Sequence, residues 1–256
     1  MVKEQVTYRD LLYQMTKRDL LLRYKQTVLG FGWAIFMPLV NTAVFSVIFM
    51  RVAPIDAGMP YPLFAFTGLL TWNFFASSLK FAIVSLTSNS QLVSKVYFPR
   101  EIFPFSSVIV CLIDFAVASV LLIALMIWYH IPPTPMIVFL PVVMTVHILF
   151  TMGVALLLSM GNLFFRDVKY LFEIFLTVWM FGTSVLFPVS LVGGKLGTVM
   201  QLNPMTPIID GYRAVLFKGQ SPFTEPFALA IFISVAIFGV SWLTFHRAEF
   251  QFAENI

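Results

Sequence analysis

From residue 131 to residue 165 the chain carries no Asp, Glu, Lys or Arg. A helix needs only about 20 mostly apolar residues to cross the hydrocarbon core of a bilayer. The remaining charges cut the rest of the chain into pieces near that length. Residues 26–50 lie between Lys25 and Arg51, and residues 57–79 between Asp56 and Lys80. Residues 102–129 contain one charge, Asp114, residues 174–194 lie between Glu173 and Lys195, and residues 226–245 precede His246 and Arg247. This spacing predicts an all-α integral membrane protein with six spans. Charged residues make up 11% of the chain, against about 25% in a soluble domain, too few to solvate a soluble surface. Pro132, Pro133 and Pro135 place the start of the fourth span near Met136, and the short turn before them makes spans three and four an antiparallel hairpin.

The net charge of +4 fits membrane topology better than nucleic-acid binding. Of the Lys and Arg residues, twelve fall on one side of the predicted membrane, and Arg51, Lys195, Arg213 and Lys218 on the other. The positive-inside rule then sets both termini in the cytoplasm. The N-terminus, MVKEQVTYRD, has no apolar stretch directly behind its charges, so it does not read as a cleavable signal peptide. Cys111 stands alone, which excludes an internal disulfide.

Two segments do not read as spans. Residues 1–29 contain a basic amphipathic helix, with Tyr8, Leu11, Leu12, Met15 and Leu22 at helical spacing and a capping box of Thr7 with Asp10. It lies in the interface plane, either as a plain anchor or as a collar that also touches a cytosolic partner. Residues 195–219 are interrupted by Asn203-Pro204 and Thr206-Pro207, and predict a re-entrant pair of short helices before the last span, or a loop resting on the bilayer. Residues 30–256 then form one permease domain.

Catalytic signatures are missing. There is no HExxH, CxxC or GxSxG, and His130, His147 and His246 show no mutual ligand spacing. The phosphate-loop pattern fails at Val189 and Leu196. No segment outside the membrane is long enough for a nucleotide-binding domain, so the chain reads as a transport subunit rather than an enzyme, without a cofactor or metal of its own. Asp114 is a carboxylate inside a span, either a proton relay of a secondary transporter or a hydrogen-bonding group in helix packing. Aromatics load spans one, two and five. They serve lipid contact and packing, or line a pore whose ring faces stack against sugars. The segment VSKVYFPREIFPF, from Val93 to Phe105, falls in a cytoplasmic loop between spans two and three, and on composition alone a charged turn would explain it.

Three stretches carry a family resemblance: RDLLLRYKQTVLGFGWAIFMPL from Arg18 to Leu39, KVYFPRE from Lys95 to Glu101, and LNPMTP from Leu202 to Pro207 followed by Arg213 and Gly219. Together they resemble ABC-2 type permeases that export cell-surface polysaccharides, O-antigen exporters foremost, with capsule and teichoic acid exporters as relatives. The resemblance implies a homodimer with two copies of a separate ATPase subunit, which holds the ATP and magnesium. It implies that the loop at about 88–103 carries a coupling helix. There Val96, Tyr97 and Phe98 fill a groove on the ATPase, Lys95, Arg100 and Glu101 form the polar rim, and Pro99 ends the helix. Arg18, Asp19 and Arg23 lie beside the same partner. Phe31, Trp33, Phe36, Trp72, Phe75, Phe175 and Trp179 are then the candidate lining of a polymer channel on the two-fold axis. Asn203, Pro204, Pro207 and Arg213 belong to an outer gate. The cargo implied is an undecaprenyl-linked O antigen; a small lipid or drug, or proton-coupled transport through Asp114, are the other readings.

Overall fold

In a computed structural model, the described residues are 7–25, 27, 30, 32–52, 54–95 and 98–255. They form helices α1 (Arg9–Tyr24), α2 (Gly32–Val47), α3 (Tyr61–Ser88), α4 (Ser90–Lys95), α5 (Ile102–Trp128), α6 (Leu140–Phe164), α7 (Val168–Phe181), α8 (Val189–Val192), α9 (Gly194–Leu202), α10 (Met205–Arg213) and α11 (Glu225–Asn255). A 3₁₀ turn at Pro135–Phe139 leads into α6, and π-helical turns extend α2 and α10. No strand occurs among the described residues. Among the described residues, five helices are long and apolar enough to cross a membrane: Gly32–Arg51, Tyr61–Ser88, Ile102–Trp128, Pro135–Phe164 and Glu225–Phe252.

The predicted fifth span is divided. Its helix, α7, has 14 residues, about 21 Å at 1.5 Å per residue, against a hydrocarbon core of about 30 Å. It stops at Gly182, and a tight turn follows in which Val185 N–H donates to the Thr183 carbonyl at 2.7 Å. Residues 174–194 contain enough apolar side chains for a span, but composition does not reveal that their backbone turns at 182–188.

Helix α3 is the hub. Within its most apolar stretch 67% of residues are buried, against 17% for the stretch containing α2. It packs against α2, α5, α6, α7 and α10. Helix α5 runs antiparallel to it, since Phe74 meets Phe115 while Leu86 lies with Ile102 and Phe103. Helices α6 and α11 run side by side in one direction, because Gly153 faces Phe238 and Phe164 faces Phe252. The backbones approach closely there. A Cβ on Gly153 would lie 2.8 Å from the Phe238 nitrogen, so the crossing requires glycine.

Helix α1 lies against α5. Tyr8, Leu11, Leu12 and Met15 reach a cluster with Leu86, Phe98, Ile102, Phe245 and Phe252, the apolar face the spacing predicts. Leu22 is 75% exposed and does not share it. The helix begins one residue later than the predicted capping box requires: its N-terminal boundary is Tyr8, which makes no side-chain cap bond.

Candidate functional site

Helix α4 and the turn after it carry the predicted coupling segment. Val96 and Tyr97 lie outside the described residues. Lys95, with Ser94 and Gln91, is exposed. The rest of the motif turns inward. Phe98 is 6% exposed and packs on Phe103, ring centroids 5.5 Å apart. Its ring belongs to this chain's own core, which corrects the expectation that it fills a partner's groove. Pro99 is buried as well. Arg100 donates to the carbonyls of Val93, at 3.0 Å, and Glu249. Glu101 is fully buried, facing Trp242 and His246 of α11. Arg100 and Glu101 therefore fasten the loop to α11 rather than rim an exposed docking face.

The N-terminal basic residues are likewise used within the chain. Arg18 pairs with Asp19 at 2.7 Å, and Asp19 accepts a hydrogen bond from Ser106 of α5 at 3.1 Å. Arg23 lies 4.0 Å from the centroid of the Phe81 ring and pairs with Asp114. Tyr24 donates its hydroxyl to Asp114 at 2.5 Å. Burial, and then the Asp114 bond, push the Tyr24 phenol well above its ordinary range, so it stays a donor. Asp114 is thus the acceptor that anchors the end of α1 to the middle of α5. Arg23, Tyr24 and Asp114, with Trp33, Asn41 and Asn73, border a cavity of about 440 Å³ between α2, α3 and α5.

The aromatic residues divide into two sets. Trp33 and Phe36 of α2 are 39% and 49% exposed, and Phe175 of α7 is 51% exposed. Each stands on an open apolar face: Met37, Val40 and Val44 continue the one on α2, and Leu171, Ile174 and Val178 the one on α7. Trp72 and Phe75 are 4% and 0% exposed. They form the centre of an aromatic core with Phe150, which stacks on Phe75 at 5.5 Å. This corrects their assignment to a channel wall, since no solute reaches a ring buried between α3 and α6. Trp179 connects the two sets. Its ring meets Trp72 and Phe75 edge-on, and its Nε1 donates to Asn203 Oδ1 at 2.9 Å. Phe31 lies outside the described residues.

Asn203 breaks the backbone between α9 and α10 and spans it with its side chain. Its Oδ1 also accepts from Met205 N–H at 3.2 Å, and its Nδ2 donates to Gly182 O at 3.0 Å and Thr183 Oγ1 at 2.8 Å. Pro204 precedes the first turn of α10, and Pro207 sits within that turn, where an absent N–H costs little. Pro207 is therefore not a second break. Arg213, 1% exposed, is the centre of this region. Its guanidinium donates to the carbonyls of Ser184 at 2.5 Å, Val185 at 2.9 Å and Phe64 at 3.0 Å, and to Asp210 Oδ1 at 3.0 Å. It also lies 3.5 Å from the centroid of the Phe64 ring. Burial pulls its pKa down to about 10, with Asp210 opposing, so it is charged at neutral pH. Gly68 makes room for it: a Cβ there would lie 2.2 Å from Val185 O and 2.6 Å from the Arg213 guanidinium. One side chain thus joins α3, the 182–188 turn and α10.

The sequence pattern of the ABC-2 type transporter family matches residues 10–217, which include α1, the loop after α3 and the Asn203–Arg213 hub. The chain is an ABC-2 type transporter. It is 30% identical over 259 aligned positions to the O-antigen export system permease protein RfbA of Myxococcus xanthus, covering 100% of this chain and 99% of the relative. It is 28% identical over 246 positions to the protein of that name from Klebsiella pneumoniae, covering 96% and 94%. The polysialic acid transport protein KpsM of Escherichia coli is 23% identical over 231 positions, covering 86% and 87%.

Several partners in this ABC-2 permease escaped the sequence reading. Gly68, Ser184 and Asp210 complete the Arg213 hub, and only the Asp210-to-Arg213 spacing, one helical turn, is visible in the sequence. Arg23 and Asp114 are 91 residues apart, so no local pattern pairs them. Asp114 alone was conspicuous, as a carboxylate in a span.

Proposed function

We propose that this chain is the membrane subunit of an ATP-driven exporter that carries a lipid-linked O-antigen polysaccharide across the bacterial inner membrane, both termini in the cytoplasm. The match along the full length of a relative named as an O-antigen export permease carries this reading. The geometry supports it. The open apolar faces of α2 and α7 suit contact with a second copy, and the exposed aromatics among them suit a path between the copies. Many weak ring contacts let a long polymer slide, where tight binding would halt it. Helix α7, continued through the 182–188 turn and α8, is the sixth crossing, with α9 and α10 at the outer mouth. ATP is bound and hydrolysed on a separate subunit, which docks on the exposed part of α4 around Lys95.

Deletion of the gene tests the reading. The expected result is loss of surface O antigen with lipid-linked polymer retained inside, restored by the wild-type chain. A photo-crosslinker at Lys95 or Tyr97 should capture a nucleotide-binding subunit in native membranes. Unchanged surface O antigen, with another polymer such as capsule or teichoic acid retained inside, would reassign the cargo. Capture of lipid alone by a well-expressed protein would remove the docking assignment.

A further inference from the structure

Where α3 and α6 end side by side, a polar cavity of about 370 Å³ opens between them and the start of α7. Val84 and Ser90 border it on one side, and Asn162, Arg166 and Lys169 on the other. Both helices are long and apolar enough to cross a membrane, so their shared end sets the cavity at the membrane surface. Arg166 is exposed and Lys169 half-buried. Neither makes an ion pair among the described residues. Lys169 lies 4.6 Å from the centroid of the Tyr170 ring, a contact that uses none of its ammonium hydrogen bonds. Asn162, by contrast, is 2% exposed, and its Oδ1 is buried without a hydrogen-bond partner. A buried polar group in that state is costly, and a ligand in the cavity that it borders would remove the cost.

We propose that this cavity holds the headgroup of an anionic, hydroxyl-bearing phospholipid of the adjoining leaflet, with phosphatidylglycerol as the simplest example. Its phosphate pairs with Arg166 and Lys169, which supply charge-assisted hydrogen bonds. A headgroup hydroxyl donates to Asn162 Oδ1. Basic pockets between membrane helices suit such lipids. The ammonium of phosphatidylethanolamine would meet two like charges, and the choline of phosphatidylcholine has no hydrogen to give Asn162. A bound headgroup ties the end of α3 to the turn between α6 and α7, whichever polymer the chain carries.

The full-length chain, stripped of lipid in detergent, is titrated with phosphatidylglycerol, phosphatidylcholine, phosphatidic acid and inorganic phosphate, and bound species are counted by native mass spectrometry. One phosphatidylglycerol per chain is expected, held at least about 5-fold more tightly than phosphatidylcholine. Arg166→Gln and Lys169→Gln should each weaken it about 5-fold, and together about 30-fold. Asn162→Ala should weaken phosphatidylglycerol about 5-fold and leave phosphatidic acid, which has no glycerol head, unchanged. Lys80→Gln, outside the cavity, should alter nothing. If Asn162→Ala fails to fold, the two charge variants decide alone. Equal retention of phosphatidylcholine overturns the proposal, as does unchanged binding in the double charge variant or an equal loss in Lys80→Gln. Displacement of the lipid by millimolar inorganic phosphate overturns it too, and leaves a site for a soluble anion.

Discussion

Replacing Arg213 with Met keeps a long flexible side chain and removes every donor. The Ser184, Val185 and Phe64 carbonyls lose their guanidinium partner, and Asp210 loses its cation. A buried polar group left unsatisfied costs about 1–3 kcal/mol. Relaxation and water entry will recover part of that for three carbonyls. The removal of one partner from a buried charged network suggests a net loss of about 3–5 kcal/mol. At about 2–4 °C per kcal/mol for a chain of this size, the unfolding midpoint should fall by about 6–20 °C. Lys at this position keeps the charge but not the planar fork, and should fall in between. Cys111, the one cysteine of the chain and buried in α5, supplies the assay. A thiol-reactive fluorogenic dye reports its exposure during heating of the detergent-solubilised protein. Gly68→Ala should produce a loss of similar size, because its Cβ displaces the same guanidinium. The double variant should lose less than the two singles added together, since both act on one network. An Arg213→Met midpoint within about 2–4 °C of wild type would limit the loss to about 1 kcal/mol and refute the hub.

Asp114→Asn removes a charge whose partner Arg23 is about one-fifth exposed; it should cost about 1–2 kcal/mol. Polymer export by this variant should continue when a protonophore collapses the proton gradient and ATP is maintained. Arrest of export by Asp114→Asn in a folded protein would instead restore the proton-relay reading. Phe98→Ala should destabilise the permease by about 3–5 kcal/mol, seen as early Cys111 labelling of the purified chain by itself. Gly153→Leu forces α6 and α11 apart, and should abolish folded protein as judged by monodisperse elution in detergent.

The apolar runs alone specified a membrane protein, because no soluble surface can be built from so few charges. They also located α2, α3, α5, α6 and α11, although α3 runs on to Ser88 and α11 to Asn255, past the charges at Lys80 and Arg247 that were expected to end them. The Asn203-Pro204 break was legible because proline cannot extend a helix from the preceding turn. The interior face of α1 followed from helical spacing, apart from Leu22. The family stretches identified the transporter class. Only the tertiary structure decided what each motif residue touches. Phe98 and Glu101 read as a docking surface, yet the loop folds back on α11 and buries both. Trp72 and Phe75 have the same composition signal as Trp33 and Phe36; α3 is central and α2 peripheral, so one pair forms core and the other surface. Helical periodicity gives the relative directions of side chains on one helix, whereas the rotation of that helix against its neighbours is set by packing. Arg213 with Gly68, and Arg23 with Asp114, are fixed by that packing across long separations in the chain.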